Sequence, residues 1–323
     1  MRGIRSGLAA GVALLVAAGA ALAQAYPSKP VHVINGFQPG GPTDVIGRIL
    51  ADHLTKVLGQ PFLVEGKPGA AGNIAGEYVA NQPPDGYTLY LAAWSAVIVN
   101  KALYANLPYD PATQLTPITL LVRINMPLVV STKLPVGGYD EFVRYAKANP
   151  GKLNHGSPGI GTLPHLAAEL WRQRLGIASV HVPYRGSGPY AQGMAQGEVQ
   201  WAFDSPNTAL TLMKNGNVKA FAITGKSRDS SFPDVPTLEQ LGMPDTDWNT
   251  YFALVGPGKL PHAIAARLYE EATRAWHDPE IAQRLTNVGF IPVTTTPEET
   301  ARIFARDRAV WTKVVHDNNI KAE

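Results

Sequence analysis

Residues 31–59 read VHVINGFQPGGPTDVIGRILADHLTKVLG, and the change of period inside that stretch decides the fold class. Val31-His32-Val33-Ile34 is a short β-rich run. After a Gly/Pro turn, residues 43–58 place Val45, Ile46, Ile49, Leu50, Leu54, Val57 and Leu58 at the spacing of one helical face, and Gly59 stops the helix. A strand feeding a helix through a glycine turn is half of a βαβ unit. The other half lies next to it: residues 62–65 read as a second strand and 73–81 as a second helix. Residues 88–93 read as a third strand after the turn Pro83-Pro84-Asp85-Gly86. This rhythm implies a mainly parallel sheet with helices on both faces.

The rhythm then restarts. Strands are expected at 128–131, 153–156, 180–182, 199–203 and 219–224, with helices at 139–148 and 163–175. A strand at 251–255 and a helix at 263–276 follow. The last helix, 297–315, opens on Thr296, Pro297 and Glu299 in a capping-box arrangement. Two α/β lobes, each a mainly parallel sheet flanked by helices, are the expected architecture. A hinge between two such lobes makes a cleft.

The chain has 323 residues, 45% hydrophobic and 16% charged, enough for two modest cores. That composition excludes a disordered chain and a coiled coil. With no cysteine, thiol catalysis, thiolate metal sites and disulfides are also excluded. Residues 1–23 read as a cleavable export signal: Arg2 and Arg5, an uncharged apolar run, then Ala21-Leu22-Ala23 as a small-x-small cleavage pattern. The apolar run is shorter than the roughly 20 residues that span a bilayer. Loss of the two arginines leaves 26 basic against 25 acidic residues. With no basic patch, nucleic acid is not an expected partner. The expectation is an exported, periplasmic monomer without a lipid anchor.

Two loops carry the binding chemistry. Phe37-Gln38-Pro39-Gly40-Gly41-Pro42-Thr43-Asp44 joins the first strand to the first helix. Its glycines let a ligand approach the backbone, the helix start offers N–H groups to an anion, and Thr43 adds a hydroxyl. Gly156-Ser157-Pro158-Gly159-Ile160-Gly161-Thr162 repeats the arrangement in the second half, with Thr162 as an N-cap bearing a spare hydroxyl. Either loop alone reads equally as an ordinary strand-to-helix turn; one per lobe suggests two sets of donors facing across a cleft. Trp94 and Ser95 end the third strand, where α/β sheets hold ligands, although Trp94 also reads as a core residue. Asp204 and Ser205 occupy the equivalent place in the second lobe, as ligand contacts or as a helix cap. Tyr184 and Arg185 follow another strand, with Arg185 reading best as a solvated loop arginine.

Catalytic patterns are missing. The G-x-S-x-G elbow fails because His155, not glycine, precedes Ser157 by two positions. A Ser157–His165 hydrolase pair has no evident acid, and His165 on the first turn of a helix reads better as ordering a loop or lining a site. No metal-ligand spacing and no cofactor motif occurs.

Several strings together resemble the substrate-binding proteins of tripartite tricarboxylate transporters, the Bug family. They are Tyr26-Pro27-Ser28-Lys29-Pro30, the 37–44 loop, Gly69-Ala70-Ala71-Gly72-Asn73-Ile74 and Pro83-Pro84-Asp85-Gly86-Tyr87-Thr88-Leu89. Leu107-Pro108-Tyr109-Asp110-Pro111, Ala148-Asn149-Pro150-Gly151-Lys152-Leu153, His181-Val182-Pro183-Tyr184, Phe203-Asp204 and Pro233-Asp234-Val235-Pro236-Thr237 continue the match along the chain. The resemblance implies a two-lobe periplasmic binding protein of the Venus flytrap type, not an enzyme and without cofactor. One lobe would hold 24–124 plus 226–323 and the other 125–225. Such a protein hands a small carboxylate to a permease of one large and one small subunit; a sensory module for a membrane receptor is the alternative role. It further implies that residues 38–43 and 157–162 grip the carboxylate, with Phe37, Trp94, Ser95, His165, Tyr184, Asp204 and Ser205 shaping the rest. This chain departs from the family pattern at Asn35-Gly36, Gln38, Pro42, Pro158 and Trp94. The bulk of Trp94 points to a flat or aromatic carboxylate rather than citrate.

Overall fold

The computed structural model describes residues 26–317, 320 and 321; the expected export signal lies outside the described residues. Strand β1 (Val31–Asn35) runs into helix α1 (Pro42–Leu58), then β2 (Phe62–Gly66), α2 (Asn73–Ala80) and β3 (Thr88–Ala93). The apolar face of α1 explains its place. Ile46, Ile49, Leu50 and Leu54 are buried against Val31, Val33, Leu89 and Leu91, and each such burial contributes about 1.5–3 kcal/mol. Val57, at the end of the expected stripe, is 45% exposed. Gly59 takes the left-handed conformation and its N–H caps the Thr55 carbonyl.

Two four-residue helices, α3 (Trp94–Val97) and α4 (Asn100–Leu103), lead to β4 (Leu115–Ile124). Then come β5 (Pro127–Ser131), α5 (Tyr139–Ala148), β6 (Asn154–Ser157), α6 (Leu163–Leu175) and β7 (Val180–Pro183). These are followed by α7 (Ser187–Gln196), β8 (Trp201–Phe203), α8 (Pro206–Lys214) and β9 (Val218–Ile223). The chain closes with β10 (Thr250–Pro257), α9 (His262–His277), α10 (Pro279–Thr286), β11 (Ile291–Pro292) and α11 (Pro297–Asp317). At the start of α11 the Thr296 hydroxyl accepts from the Glu299 N–H, half of the expected capping box.

The strands form two sheets, ordered β11-β4-β10-β3-β1-β2 and β7-β6-β8-β5-β9. Both are mixed, which refines the expectation of mainly parallel sheets. β1 to β4 share one direction and β6 to β9 share another. Inside the first sheet β10 is antiparallel to both β3 and β4, and inside the second β5 is antiparallel to both β8 and β9. Each inserted strand is the first to arrive from the other sheet. It comes without the helical crossover that a parallel pairing requires, so it runs against its hosts.

β4 is a strand the sequence reading misses. It is buried along nearly its whole length and so lacks the alternation that marks a half-buried strand, and Pro117 interrupts it. Residues 226–249 also correct an expectation. Assigned from sequence to the first lobe, they lie mainly on the second sheet: Ile223 bridges Thr237, Arg174 donates to the Pro244 carbonyl, and Trp248 packs edge-on against Phe203. The outgoing and returning crossings are tied together, since Met126 N donates to Thr224 Oγ1 (2.8 Å) and Thr224 N to the Met126 carbonyl (3.0 Å). Among the described residues, no helix is long and apolar enough to cross a membrane.

Candidate functional site

The loops that follow β1, β6, β7 and β8 meet between the two sheets. They line a chamber with a cavity volume of about 60 Å³. Its walls include Gly41, Pro42 and Thr43 at the start of α1, Thr162, Leu163 and Pro164 at the start of α6, Ser187 at the start of α7, and Ser205 capping α8. Four helix N-termini therefore converge on one space. Each leaves backbone N–H groups outside its helical ladder and carries the positive end of the helix dipole. Among the described residues, none that lines the chamber is charged. Whatever attraction the chamber has for an anion comes from helix ends and hydroxyls, in surroundings where weak screening strengthens each bond.

Thr43 is the strongest local sign of a ligand. It is 1% exposed, and its Oγ1 is buried without a hydrogen-bond partner, an arrangement native structures avoid unless something else supplies the partner. Its neighbour Asp44 turns away. The two carboxylate oxygens take the Gly40 N–H (3.2 Å) and the Arg48 Nε–H (2.9 Å), so Asp44 shapes the loop and lines neither chamber. Ser187 stands across from this loop: a Cβ on Gly41 would come within 3.2 Å of its Oγ. Asn207 Nδ2 reaches the Gly40 carbonyl (3.4 Å), so the two units touch beside the chamber.

The second loop is stapled from within. Thr162 Oγ1 donates to the Gly159 carbonyl at 2.8 Å, and a hydroxyl has one proton to give. This corrects the expectation of a spare hydroxyl at Thr162, although the residue does line the chamber. Gly161 needs its lack of side chain: φ is +80°, and a Cβ would lie 2.8 Å from Leu103 Cδ1. Its N–H donates to His165 Nδ1 (3.1 Å), so His165 orders the loop and lines neither chamber. His165 lies flat on His181, ring centroids 4.0 Å apart, and His181 continues onto His155. Burial pushes the His165 ring down to about 4. Burial, then the neighbouring imidazoles, push His181 down to about 3. At the foot of the column Glu169 is held at about 2. Burial pushes it up, but His155, 3.2 Å from Oε1, and the Arg172 guanidinium bonded to its carboxylate outweigh that.

Ser157, fully buried, meets His181 Nε2 at 2.8 Å rather than His165. The Ser157 hydroxyl also accepts from the Gly159 N–H (3.2 Å) and lies 3.1 Å from the Gly159 carbonyl, so the pair is tied into the loop. Among the described residues no group of three or more His, Asp or Glu is placed to hold a metal ion.

Trp94 lines the chamber and is also a core residue, 1% exposed and packed edge-on against Trp311 at 5.0 Å; its indole Nε1 has no partner. Ser95 lines the wall, its hydroxyl proton given to the Ala71 carbonyl (3.1 Å). Ser205 lines it too, but Asp204 does not. Asp204 sits fully buried behind Ser205, accepting the Ser205 N–H (2.7 Å) through Oδ1 while Oδ2 has no partner. Burial raises this carboxyl to about 7, against the pull of Ser205 and the nearby Tyr190 hydroxyl. Phe37 lines the chamber and also a second, outer one of about 630 Å³ that is lined by Gln38, Gly159, Tyr184 and the exposed Arg185. Of the residues singled out in the sequence, Phe37, Gly41, Thr43, Trp94, Ser95, Thr162 and Ser205 meet in the inner chamber; Asp44, Ser157, Gly161, His165 and Asp204 lie outside both. Sequence reasoning missed Ser187, although Gly186-Ser187-Gly188 repeats the small-residue pattern of the other loops. It also missed Met126, between β4 and β5, and Ile124, Thr250 and Phe252, which the β4–β10 register brings together, Thr250 opposite Ile124.

Residues 46–320 match the family model described as "Tripartite tricarboxylate transporter family receptor". The Protein BugT of Bordetella pertussis is 32% identical over 300 residues, covering 93% of this chain and 92% of its own. Rpa4515 of R. palustris, solved with adipate, superposes with a TM-score of 0.89 at 29% identity, over 92% of this chain and 99% of that one. MatC from Rhodopseudomonas palustris, solved with bound malate, gives 0.84 at 30% identity over 90% and 100%.

Proposed function

The chain belongs to the tripartite tricarboxylate transporter receptor family, and from that premise we propose that it captures a small carboxylate in the inner chamber and delivers it to a membrane permease of one large and one small subunit. It is a solute-binding protein and not an enzyme. The proposed setting is the periplasm, reached through the export signal, and the proposed form a monomer. The ligand carboxylate sits at the starts of α1, α6, α7 and α8, held by backbone N–H groups and the hydroxyls of Thr43 and Ser187, with Trp94 and Phe37 against the rest. Gln38, Gly159 and Tyr184 shape the outer chamber, and Ser157, Gly161 and His165 hold the second loop in shape.

One observation carries this reading: four helix starts point into a chamber without a charged side chain, and Thr43's buried hydroxyl there lacks a partner. The mechanism is a population shift. Ligand bonded from both sheets favours the closed arrangement by its differential affinity. Thermal unfolding of protein stripped of co-purified ligand by unfolding and refolding, against a panel of carboxylates, tests it. A matching carboxylate at 100 times its dissociation constant stabilises by about 2.7 kcal/mol. No stabilisation by any member of a broad panel refutes the assignment.

A further inference from the structure

We infer that the inner chamber selects a ligand with a single carboxylate on a flat, apolar, aromatic body; this rests on the reading of the chamber as a carboxylate site. Thr43 Oγ1 has no partner, and Ser187 Oγ lies close to Gly41, beside the starts of α1 and α7. Two other lining hydroxyls are spent, Thr162 on the Gly159 carbonyl and Ser95 on the Ala71 carbonyl. The apolar wall is formed by Trp94, Ile124, Met126 and Phe252, all buried. Its polar groups are single donors, the Thr250 hydroxyl and the unpartnered Trp94 indole N–H, beside a helix of four residues.

A second ionised carboxylate against that wall would be desolvated without a cation, an arrangement proteins avoid. An aromatic ring meets what it prefers there: edge and face contacts with Trp94 and Phe252 and the thioether of Met126. Among the described residues Arg185 is the one charged residue lining either chamber, and it lines the outer one, while Phe37 and Pro158 line both. A second charge seated beside Arg185 would have to span that partition.

Calorimetric titration of ligand-stripped protein with benzoate, adipate and malate tests the assignment. Benzoate should bind at least tenfold tighter than either dicarboxylate. Trp94→Ser should shrink that ratio, Trp94→Phe should keep it, and Arg185→Gln should leave benzoate binding unchanged. Adipate or malate binding as tightly as benzoate overturns the inference while leaving the carboxylate site standing. So does a dicarboxylate affinity that disappears in Arg185→Gln. Failure of all three probes, and of a wider carboxylate panel, overturns the site itself. The ratio in the unaltered protein decides the matter even if Trp94→Ser does not fold.

Discussion

Thr43→Val should move stability and affinity in opposite directions. The Thr43 hydroxyl is buried without a partner from the protein, and a buried group that the fold leaves unpaired costs about 1–3 kcal/mol of desolvation. Valine keeps the branched shape and removes the polar atom, and both residues have similar helix propensity. The ligand-free variant should therefore be more stable than the parent by about 1 kcal/mol, part of the gain being lost to imperfect repacking. A bond from this hydroxyl to an ionised carboxylate is worth about 1.5–3 kcal/mol, so affinity should fall roughly ten- to a hundredfold. Urea unfolding without ligand and calorimetric titration with whichever of benzoate, adipate or malate stabilises the parent measure the two effects. A variant that loses stability and keeps its affinity would show that the hydroxyl serves the fold, and the reasoning about its empty bonding capacity would be wrong.

Thr162→Val should behave differently: it loses the bond to the Gly159 carbonyl, costs about 1 kcal/mol of stability, and changes affinity less than Thr43→Val does. The His165 ring titrates at about 4 instead of 6.5, so the unfolded chain binds more protons between those values and stability falls as pH drops through them, by up to about 3 kcal/mol for this ring. His165→Phe should flatten that acid limb in urea titrations from pH 7 to 4, and an unchanged limb would assign it elsewhere. Asp204 has the opposite slope. Its carboxyl is raised from 3.8 to about 7, so its contribution is complete below 3.8 and is lost as pH rises through 7. Asp204→Asn should gain stability relative to the parent at about pH 8 compared with pH 5; a difference that does not vary with pH would show that Asp204 does not titrate there.

Regular local patterns were legible in the sequence. The helix at residues 163–175 and the strand at 88–93 match α6 and β3 residue for residue, because amphipathic spacing, Gly176 and the turn before Thr88 are local signals. β4 was hidden because burial on both faces erases alternation. The antiparallel insertion of β5 and β10 was hidden because strand direction depends on where the chain has come from, not on its residues. In the site, the 37–44 loop and Trp94 announced themselves. The far wall could not, since Ile124 and Phe252 are ordinary strand residues until pairing brings them together. Which hydroxyls remain free is likewise a matter of geometry: Thr43 and Thr162 look alike in sequence, yet Thr162 has given its proton to Gly159.

The position of Ile124, Met126 and Thr250 has a mechanical consequence. These residues are at the strand ends where the chain passes between sheets, and Met126 is bonded to the returning crossing through Thr224. The apolar floor of the chamber is thus the axle on which the two halves would turn. Points on an axle barely travel, whereas the glycine turns at the rim swing through the full arc. A solute could settle on the floor while the jaws stand apart, and closing would then add the grip of backbone N–H groups and hydroxyls almost alone, so that hydrophobic contact sets who is admitted and hydrogen bonding sets how long the visitor stays.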